Sequence, residues 1–229
     1  EAAFIGGVIL GVSVLLGATL VTGVGGLLLI LFLSGVLGIA FAGLNFIAEA
    51  FVTPNDPLYD PYQWHLTAIQ SEAAWAVSTG AGAVVAVLDT GLATGGEDGI
   101  GCVSDAAYDV VNGDAEPIDG NGHGTHVSGT VAQTTHNATG CAGMAYGACV
   151  LPVKVLDDSG SGSFADIAEG IYYAVDHGAQ VINMSLGVNA RYKVTSDPTV
   201  DPALDYAYAH GVTVVCAAGN DRWSRNVGY

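Results

Sequence analysis

Basic residues are scarce in this sequence of 229 residues. Lys and Arg together number 5 against 22 Asp and Glu, which gives a formal net charge of −17 at pH 7. A nucleic-acid-binding surface needs clustered basic side chains to contact phosphates, so this balance argues against nucleic acid as a partner. It also argues against docking on anionic lipid by charge. The excess of Asp over Glu suits calcium-binding loops or a secreted protein, although a merely soluble acidic surface explains any single Asp equally well.

Closely spaced cysteine pairs are also absent. The four cysteines include no CxxC pair, which argues against a zinc or thioredoxin-type site. Cys216 lies in an apolar run and is predicted to be a small buried hydrophobic residue. Cys102 and Cys149 each precede apolar strand residues and are the candidate pair for a disulfide, which would imply an oxidising compartment.

Charged residues and prolines are missing from Ala2 to Ala48. A bilayer-spanning helix needs about 20 apolar residues, so residues 4–47 have the length of two spans and the segment 1–50 is predicted to be a transmembrane helical hairpin. A signal peptide would be shorter, with a basic start and a small-residue cleavage site. A buried core segment, a single broken span and an artefact of a partial reading frame remain as alternatives.

Residues 51–61 contain three prolines and are predicted to be an irregular linker. Residues 62–229 then alternate apolar, β-branched runs with helical patterns, which is typical of an open α/β sheet with helices on both faces. The runs 84–88 and 212–215 are continuously apolar, as expected of parallel strands covered on both faces. The predicted strands are 83–88, 107–111, 149–155, 180–184 and 212–217, and the predicted helices are 71–77, 123–134, 164–177 and 202–210.

Two polar residues are expected where functional groups gather in such sheets, beyond the carboxyl ends of the strands. Asp89 follows five apolar residues, and its carboxylate is costly to bury unless it has a partner, although a turn-capping Asp explains most Asp-Thr-Gly sequences. His123 opens a predicted helix among glycines that permit a tight turn. A metal site formed with His126 lacks a third His or Cys. A nucleotide-binding domain is disfavoured, because Asp89 stands where a phosphate-binding loop would begin.

Together these motifs resemble the subtilisin-like serine proteases, or subtilases, and especially their thermitase-like branch. The similarity runs from Asn55 to Tyr229 and keeps the family's order of motifs. The matching blocks are 89–91 (Asp-Thr-Gly), 122–130 (Gly-His-Gly-Thr-His-Val-Ser-Gly-Thr), 153–156 (Val-Lys-Val-Leu), 160–163 (Gly-Ser-Gly-Ser), 181–187 (Val-Ile-Asn-Met-Ser-Leu-Gly) and 217–220 (Ala-Ala-Gly-Asn). The resemblance implies the subtilisin-like parallel sheet, incomplete at its carboxyl end.

The resemblance also implies a role for each matching residue. Asp89 would be the acid that orients the imidazole of His123, and His123 would be the general base and then the general acid. Asn220 would donate its amide to the oxyanion. The substrate would be a protein or peptide, clasped in extended form by strand addition. Residues implied to bind it are Leu156, Gly160, Ser161, Gly162, Ser185, Leu186 and Gly187 at the edges, with Ala217, Ala218 and Gly219 at the wall of the specificity pocket.

Calcium is the cofactor that the resemblance implies, because hard oxygen ligands from acidic loops are what Ca²⁺ takes. A tight site would use Asp56, Asp98, the Asn137 side chain and the backbone carbonyls of Thr139 and Cys141. A second, weaker site would use Asp109, Asn112, Asp114 and Glu116. Asn112 stands where an acid is usual in the family.

The family's serine nucleophile stands in a Gly-Thr-Ser-Met-Ala segment, and no serine of this sequence has that context. We therefore expect a subtilisin-type serine endopeptidase, present as a piece that lacks the serine and is inactive alone. The alternative is a membrane-anchored, non-catalytic module that binds peptides or calcium. In either case we expect an extracytoplasmic location, membrane-anchored or secreted.

Overall fold

The structure, a computed structural model, describes residues 53–188, 192 and 194–220. The chain divides after Ala50, and all the described residues belong to the second unit. The two apolar helices predicted between residues 4 and 47 lie outside the described residues. Within the described ranges, no helix has both the length and the hydropathy needed to cross a bilayer.

One parallel sheet organises the described part of the chain. Its strands are β1 (Val84–Asp89), β2 (Tyr108–Asp109), β3 (Cys149–Lys154), β4 (Val181–Met184) and β5 (Thr213–Cys216). They pair in the order β2-β3-β1-β4-β5, and every pairing is parallel. The carboxyl ends of all five strands therefore lie at one edge of the sheet, as predicted for the α/β class.

Helices cover both faces of this sheet. The helices of the described residues are α1 (Tyr59–Tyr62), α2 (Trp64–Ala68), α3 (Ser71–Trp75), α4 (His123–Ala132), α5 (Phe164–Asp176) and α6 (Val200–Ala209), and the last three cover the sheet. Because side chains alternate along a strand, Ala86 and Leu88 pack on the side of α5 and α6, whereas Val87 packs with Ala132 of α4 on the other side. The central strand β1 is thus buried on both faces, which accounts for its continuous apolar sequence.

The last strand departs from this expectation. The run 212–215 predicts burial on both faces, but Val215 is 48% exposed and Thr213 is also exposed. The reason is that α6 packs on one face of β5, whereas α4 lies over β1 and β3, so that no helix of the described residues covers the second face of β5. Cys216, predicted to be buried, is half-buried on the opposite face of β5, where it packs against the core beside α6.

The linker prediction for residues 51–61 is wrong at its carboxyl end. Helix α1 begins at Tyr59 and includes Pro61, which the first turn tolerates because its backbone N–H has no partner there. Tyr59 is 2% exposed and packs with Leu66 and Trp75 in a small second core. The folded unit therefore already includes part of the predicted linker.

A disulfide joins Cys102 to Cys149, the pair proposed from the sequence. It fastens the loop before β2 to the first residue of β3. Cys141 and Cys216 are free thiols.

Candidate active site

A buried carboxylate and a half-exposed imidazole meet at the carboxyl edge of the sheet. Asp89 is the last residue of β1, and its side chain is fully buried. Oδ1 of Asp89 lies 2.7 Å from Nδ1 of His123 and accepts a second hydrogen bond from the backbone N–H of Thr90. A carboxylate only accepts hydrogen bonds, so Nδ1 carries the proton and Nε2 is left as the basic nitrogen. We refer to Asp89 and His123 as the Asp–His pair.

Glycines allow helix α4 to begin this close to the end of β1. Gly122 precedes His123 with φ of 98°, and Gly91 has φ of 114°, both in the left-handed region that favours glycine. A Cβ atom on Gly124 would overlap the backbone oxygen of Gly91 and come within 2.9 Å of its nitrogen. The first turn of α4 therefore rests directly on backbone atoms, and only glycine fits.

Asp119 binds the loop in front of α4. Its carboxylate accepts five hydrogen bonds, from Thr90 Oγ1 at 2.8 Å, Asn121 N at 3.0 Å, Gly122 N at 2.8 Å, Thr125 N at 2.9 Å and Thr125 Oγ1 at 2.6 Å. Burial raises the pKa of Asp119, but the hydrogen bonds from Thr125, Gly122 and Thr90 outweigh it and hold the pKa far below its usual range. Asp119 is therefore ionised at every pH at which the protein is expected to work.

A buried lysine lies on the other side of β1. Lys154 ends β3 next to Asp89 in the sheet register and is 3% exposed. Its Nζ donates to the backbone oxygen of Thr90 at 2.6 Å and to Asp158 Oδ1 at 2.8 Å. An ammonium group is costly to bury without such partners, so Lys154 fixes the chain just after Asp89 to the loop that contains Asp158.

The imidazole of the Asp–His pair opens into a cleft of about 600 Å³. One edge is the loop 156–162 and the other is the segment 185–188 after β4. The cleft brings together eight of the residues singled out in the sequence: His123, Leu156, Gly160, Ser161, Gly162, Ser185, Leu186 and Gly187.

Other residues of the predicted site lie elsewhere, and some lining residues were missed. Ala217, Ala218, Gly219 and Asn220 follow β5 at the same sheet edge but do not line this cleft. The floor contains Phe164, Ile167 and Met184, which sequence analysis did not assign to the site. Phe164 and Ile167 are three residues apart at the start of α5 and so lie on the same side of the helix. This spacing could have predicted that they face the cleft together.

The first predicted calcium set surrounds one loop, residues 136–141. Asp56 is 3% exposed and accepts hydrogen bonds from the backbone N–H groups of His136 and Asn137. Asp98 accepts from Asn137 Nδ2 at 2.9 Å and from the N–H of Cys141 at 3.0 Å. Burial raises the pKa of the Cys141 thiol, and the charges of Asp98 and Asp56 raise it further, which reflects the negative potential around this loop.

The carboxylate, amide and carbonyl oxygens of this set are ligands of the type that Ca²⁺ binds. The described residues contain no cluster of three or more His, Cys, Asp or Glu side chains that could hold a metal, so two carboxylates would have to be completed by amide and carbonyl oxygens. The Asn137 amide oxygen accepts from the N–H of Thr139 instead of facing Asp98, so its amide would have to turn.

The residues of the second predicted set form hydrogen bonds with one another. Asp109 is 1% exposed, and its two carboxylate oxygens accept hydrogen bonds from the backbone and side-chain N–H groups of Asn112. Asp114 accepts from the N–H of Glu116 at 2.9 Å. Asn112 therefore donates to Asp109 rather than presenting its oxygen, which weakens the case for a metal site in this turn.

Sequence comparison assigns the chain to a family. A profile described as the subtilase family matches residues 80–229, from just before β1 through the Asp–His pair and the cleft. The chain belongs to the subtilase family. The matched residues include both members of the Asp–His pair and the residues that line the cleft.

Two curated relatives and one solved structure illustrate how this subtilase is related to others. Thermitase of Thermoactinomyces vulgaris is 44% identical over 73% of this chain and 58% of thermitase. An extracellular protease of Xanthomonas campestris is 36% identical over 76% of this chain and 36% of that protein. The structure of a protease from Pseudoalteromonas arctica superposes with a TM-score of 0.66 at 36% identity, covering 74% of this chain and 60% of that one. The subtilase chain thus spans roughly a third to 60% of the length of these proteins.

Proposed function

We propose that this chain is part of a serine endopeptidase of the subtilisin type, in which the Asp–His pair is the acid and base of an Asp–His–Ser relay. The observation that carries the proposal is the 2.7 Å hydrogen bond between a fully buried carboxylate and an imidazole that opens into the cleft. Buried carboxylates that hold a half-exposed imidazole by Nδ1 are the arrangement that general-base catalysis needs.

The proposed chemistry follows from the protonation of the imidazole. Asp89 keeps the proton on Nδ1 of His123, so Nε2 takes the proton of a serine hydroxyl as that oxygen attacks the peptide carbonyl. The carboxylate then stabilises the imidazolium, which returns the proton to the leaving amine. Among the described residues no serine is hydrogen-bonded to His123, so the nucleophile is proposed to lie outside them.

Peptide binding is proposed at the two edges of the cleft. Ser161 and Gly162 on one side, and Ser185 to Gly187 on the other, would pair with an extended substrate by strand addition. Gly162 is required on its edge because a Cβ there would overlap the backbone oxygen of Val155. Asn220 as oxyanion donor and residues 217–219 as the specificity-pocket wall are supported by the matching motif and by their place after β5.

Calcium and an extracytoplasmic location complete the proposal. The loop around Asp56, Asp98 and Asn137 would hold Ca²⁺, whose binding would lock the loop and stabilise the folded state. The Cys102–Cys149 disulfide favours an oxidising compartment, and one relative is an extracellular protease. Membrane contact through residues 4–47 is supported by their composition alone.

The test is cleavage of a denatured protein substrate by the full-length protein, with and without a serine-directed phosphonylating reagent. We expect cleavage at internal peptide bonds that the reagent abolishes. Binding of the substrate without cleavage, at equal strength in wild type and His123→Ala, would favour the non-catalytic binding module instead.

A further inference from the structure

Asp119 is bonded to chain segments on both sides of the Asp–His pair. Its Oδ1 accepts hydrogen bonds from Thr90 Oγ1 and from Gly122 N, each at 2.8 Å. Its Oδ2 accepts from both the backbone N–H and the hydroxyl of Thr125. Thr90 directly follows the acid of the pair, and the other two residues flank its imidazole. One carboxylate therefore connects the segments that carry the two partners.

Thr90 is the link between them. It is fully buried, and its backbone N–H donates to the Asp89 carboxylate at 2.7 Å. Its hydroxyl donates to Asp119 and accepts a hydrogen bond from Gly124 N at 2.9 Å. A shift of Thr90 would therefore move the acid of the Asp–His pair relative to the first turn of α4.

A simple capping role does not account for this arrangement. Capping explains why Asp119 accepts hydrogen bonds from backbone N–H groups at the start of α4. It does not explain the bond to Thr90, which directly follows β1 and lies 29 residues away in sequence. The contact across the two elements indicates that the carboxylate sets their spacing as well as the stability of the helix start.

We propose that Asp119 is a positioning residue that fixes the distance between Asp89 and His123 by way of Thr90. The effect of Asp119 on catalysis rests on the proposed peptidase function, whereas its effect on the distance between Asp89 and His123 does not depend on that function. An Asn at this position keeps the shape but replaces one acceptor oxygen by a donor. That donor would face either the two donors of Thr125 or those of Thr90 and Gly122, so one side of the connection breaks.

The experiment is a double-mutant cycle with Asp119→Asn, Thr90→Val and the double variant. Asp166→Asn is the matched control, because Asp166 is also a half-buried carboxylate that accepts hydrogen bonds at a helix start, from Ser163, but has no contact with the Asp–His pair. For each full-length variant we would record the downfield NMR resonance of the His123 Nδ1 proton, urea unfolding, and the kcat and KM for a peptide.

We expect Asp119→Asn and Thr90→Val to weaken or abolish the Nδ1 resonance, with the double variant no worse than the worse single one. Both should lower kcat by roughly 10- to 100-fold while KM changes little, as expected when catalytic groups are misplaced but binding is intact. Asp166→Asn should reduce stability and leave the resonance and kcat unchanged.

The inference is overturned if Asp119→Asn destabilises the protein like Asp166→Asn and leaves the resonance intact. If Asp119→Asn does not fold, Thr90→Val carries the test, because it removes a single hydroxyl group. A wild-type protein that cleaves no peptide would overturn the proposed function without deciding this inference, because the resonance reports the geometry without turnover.

Discussion

At the residue scale, the edge of the sheet that carries the Asp–His pair depends on buried polar groups that bind one another, although Oδ2 of Asp89 has no hydrogen-bond partner among the described residues. Asp89, Thr90 and Lys154 are almost fully buried at the ends of neighbouring strands. A buried polar group without a hydrogen-bond partner destabilises the folded state. The ammonium of Lys154 therefore depends on the backbone oxygen of Thr90 as its buried acceptor. Asp158, the second partner of the Lys154 ammonium, is exposed, so water can solvate it.

This asymmetry predicts different effects for the two halves of the ion pair. Lys154→Met leaves the oxygen of Thr90 without its donor and should lower the free energy of unfolding by about 1–3 kcal/mol. Asp158→Asn removes the charge of the exposed partner only, and ion pairs with an exposed partner are worth about 0.2–1 kcal/mol. Urea unfolding of both variants measures the difference. Equal losses would show that the ion pair, and not the bond to Thr90, is what Lys154 contributes.

The sequence predicted the Asp–His pair but not these supporting contacts. Asp89 and His123 could be placed at one edge because strand ends and helix starts follow from apolar runs and glycines. The bonds of Lys154 and Asp119 to Thr90 join residues 64 and 29 positions apart, and no local pattern encodes them. Lys154 in particular lies in an apolar strand, where the sequence gives no sign of its partners.

At the element scale, the approach of α4 to β1 sets the Asp–His distance. Gly124→Ala should push the first turn of α4 away, because the new Cβ meets backbone atoms of Gly91 that cannot rotate aside. Overpacking of this kind costs about 1–3 kcal/mol. The matched control is Gly129→Ala in the same helix, where the Cβ meets only the flexible end of Gln133.

We expect Gly129→Ala to be neutral or stabilising by up to about 1 kcal/mol, because Ala has the higher helix propensity. Urea unfolding distinguishes the two variants, and the Nδ1 resonance of His123 should weaken only in Gly124→Ala. Equal stability of the two variants would contradict the close approach of α4 to β1.

Elements with strong local signals were predicted to within two residues, and those without were missed. Helix α5 was predicted as 164–177 and found as Phe164–Asp176, since Ser163 caps it and its apolar positions repeat with helical spacing. Helices α1 and α2 are single turns too short to form by propensity, and they depend on the packing of Tyr59 and Leu66 against Trp75. Packing between residues of different short helices leaves no periodic pattern in the sequence, so these helices could not be predicted.

At the scale of the whole molecule, the calcium proposal makes stability depend on the metal. The loop 136–141 joins residues from the start of the folded unit, through Asp56, to Asp98 in the loop after β1. A ligand that binds only the folded state stabilises it by about 2.7 kcal/mol at 100 times its dissociation constant. We therefore expect EDTA to lower the melting temperature, and Ca²⁺ but not Mg²⁺ to restore it.

Asp98→Asn should abolish the dependence of the melting temperature on Ca²⁺. Asp114→Asn should leave most of that dependence, because Asp114 lies in the second predicted set, whose residues bind one another. Differential scanning calorimetry in EDTA and in Ca²⁺ measures both. A melting temperature that EDTA does not change would rule out the tight site.

The family and fold of the chain followed from its motifs, whereas the extent of burial did not. Five parallel strands and helices on both faces agree with the expectation, because apolar runs specify strands independently of what covers them. The exposure of Val215 was not predictable, since it depends on which helices lie over β5.

The most direct test of the account compares peptide cleavage by full-length wild type with that by Asp89→Asn. The amide keeps the shape of the side chain but favours the wrong tautomer of His123. We therefore predict a fall in kcat of about 10⁴-fold with an unchanged fold, as found for this substitution in serine-protease relays. Cleavage by Asp89→Asn at the wild-type rate would contradict the central claim that the Asp–His pair is the acid and base of this protein.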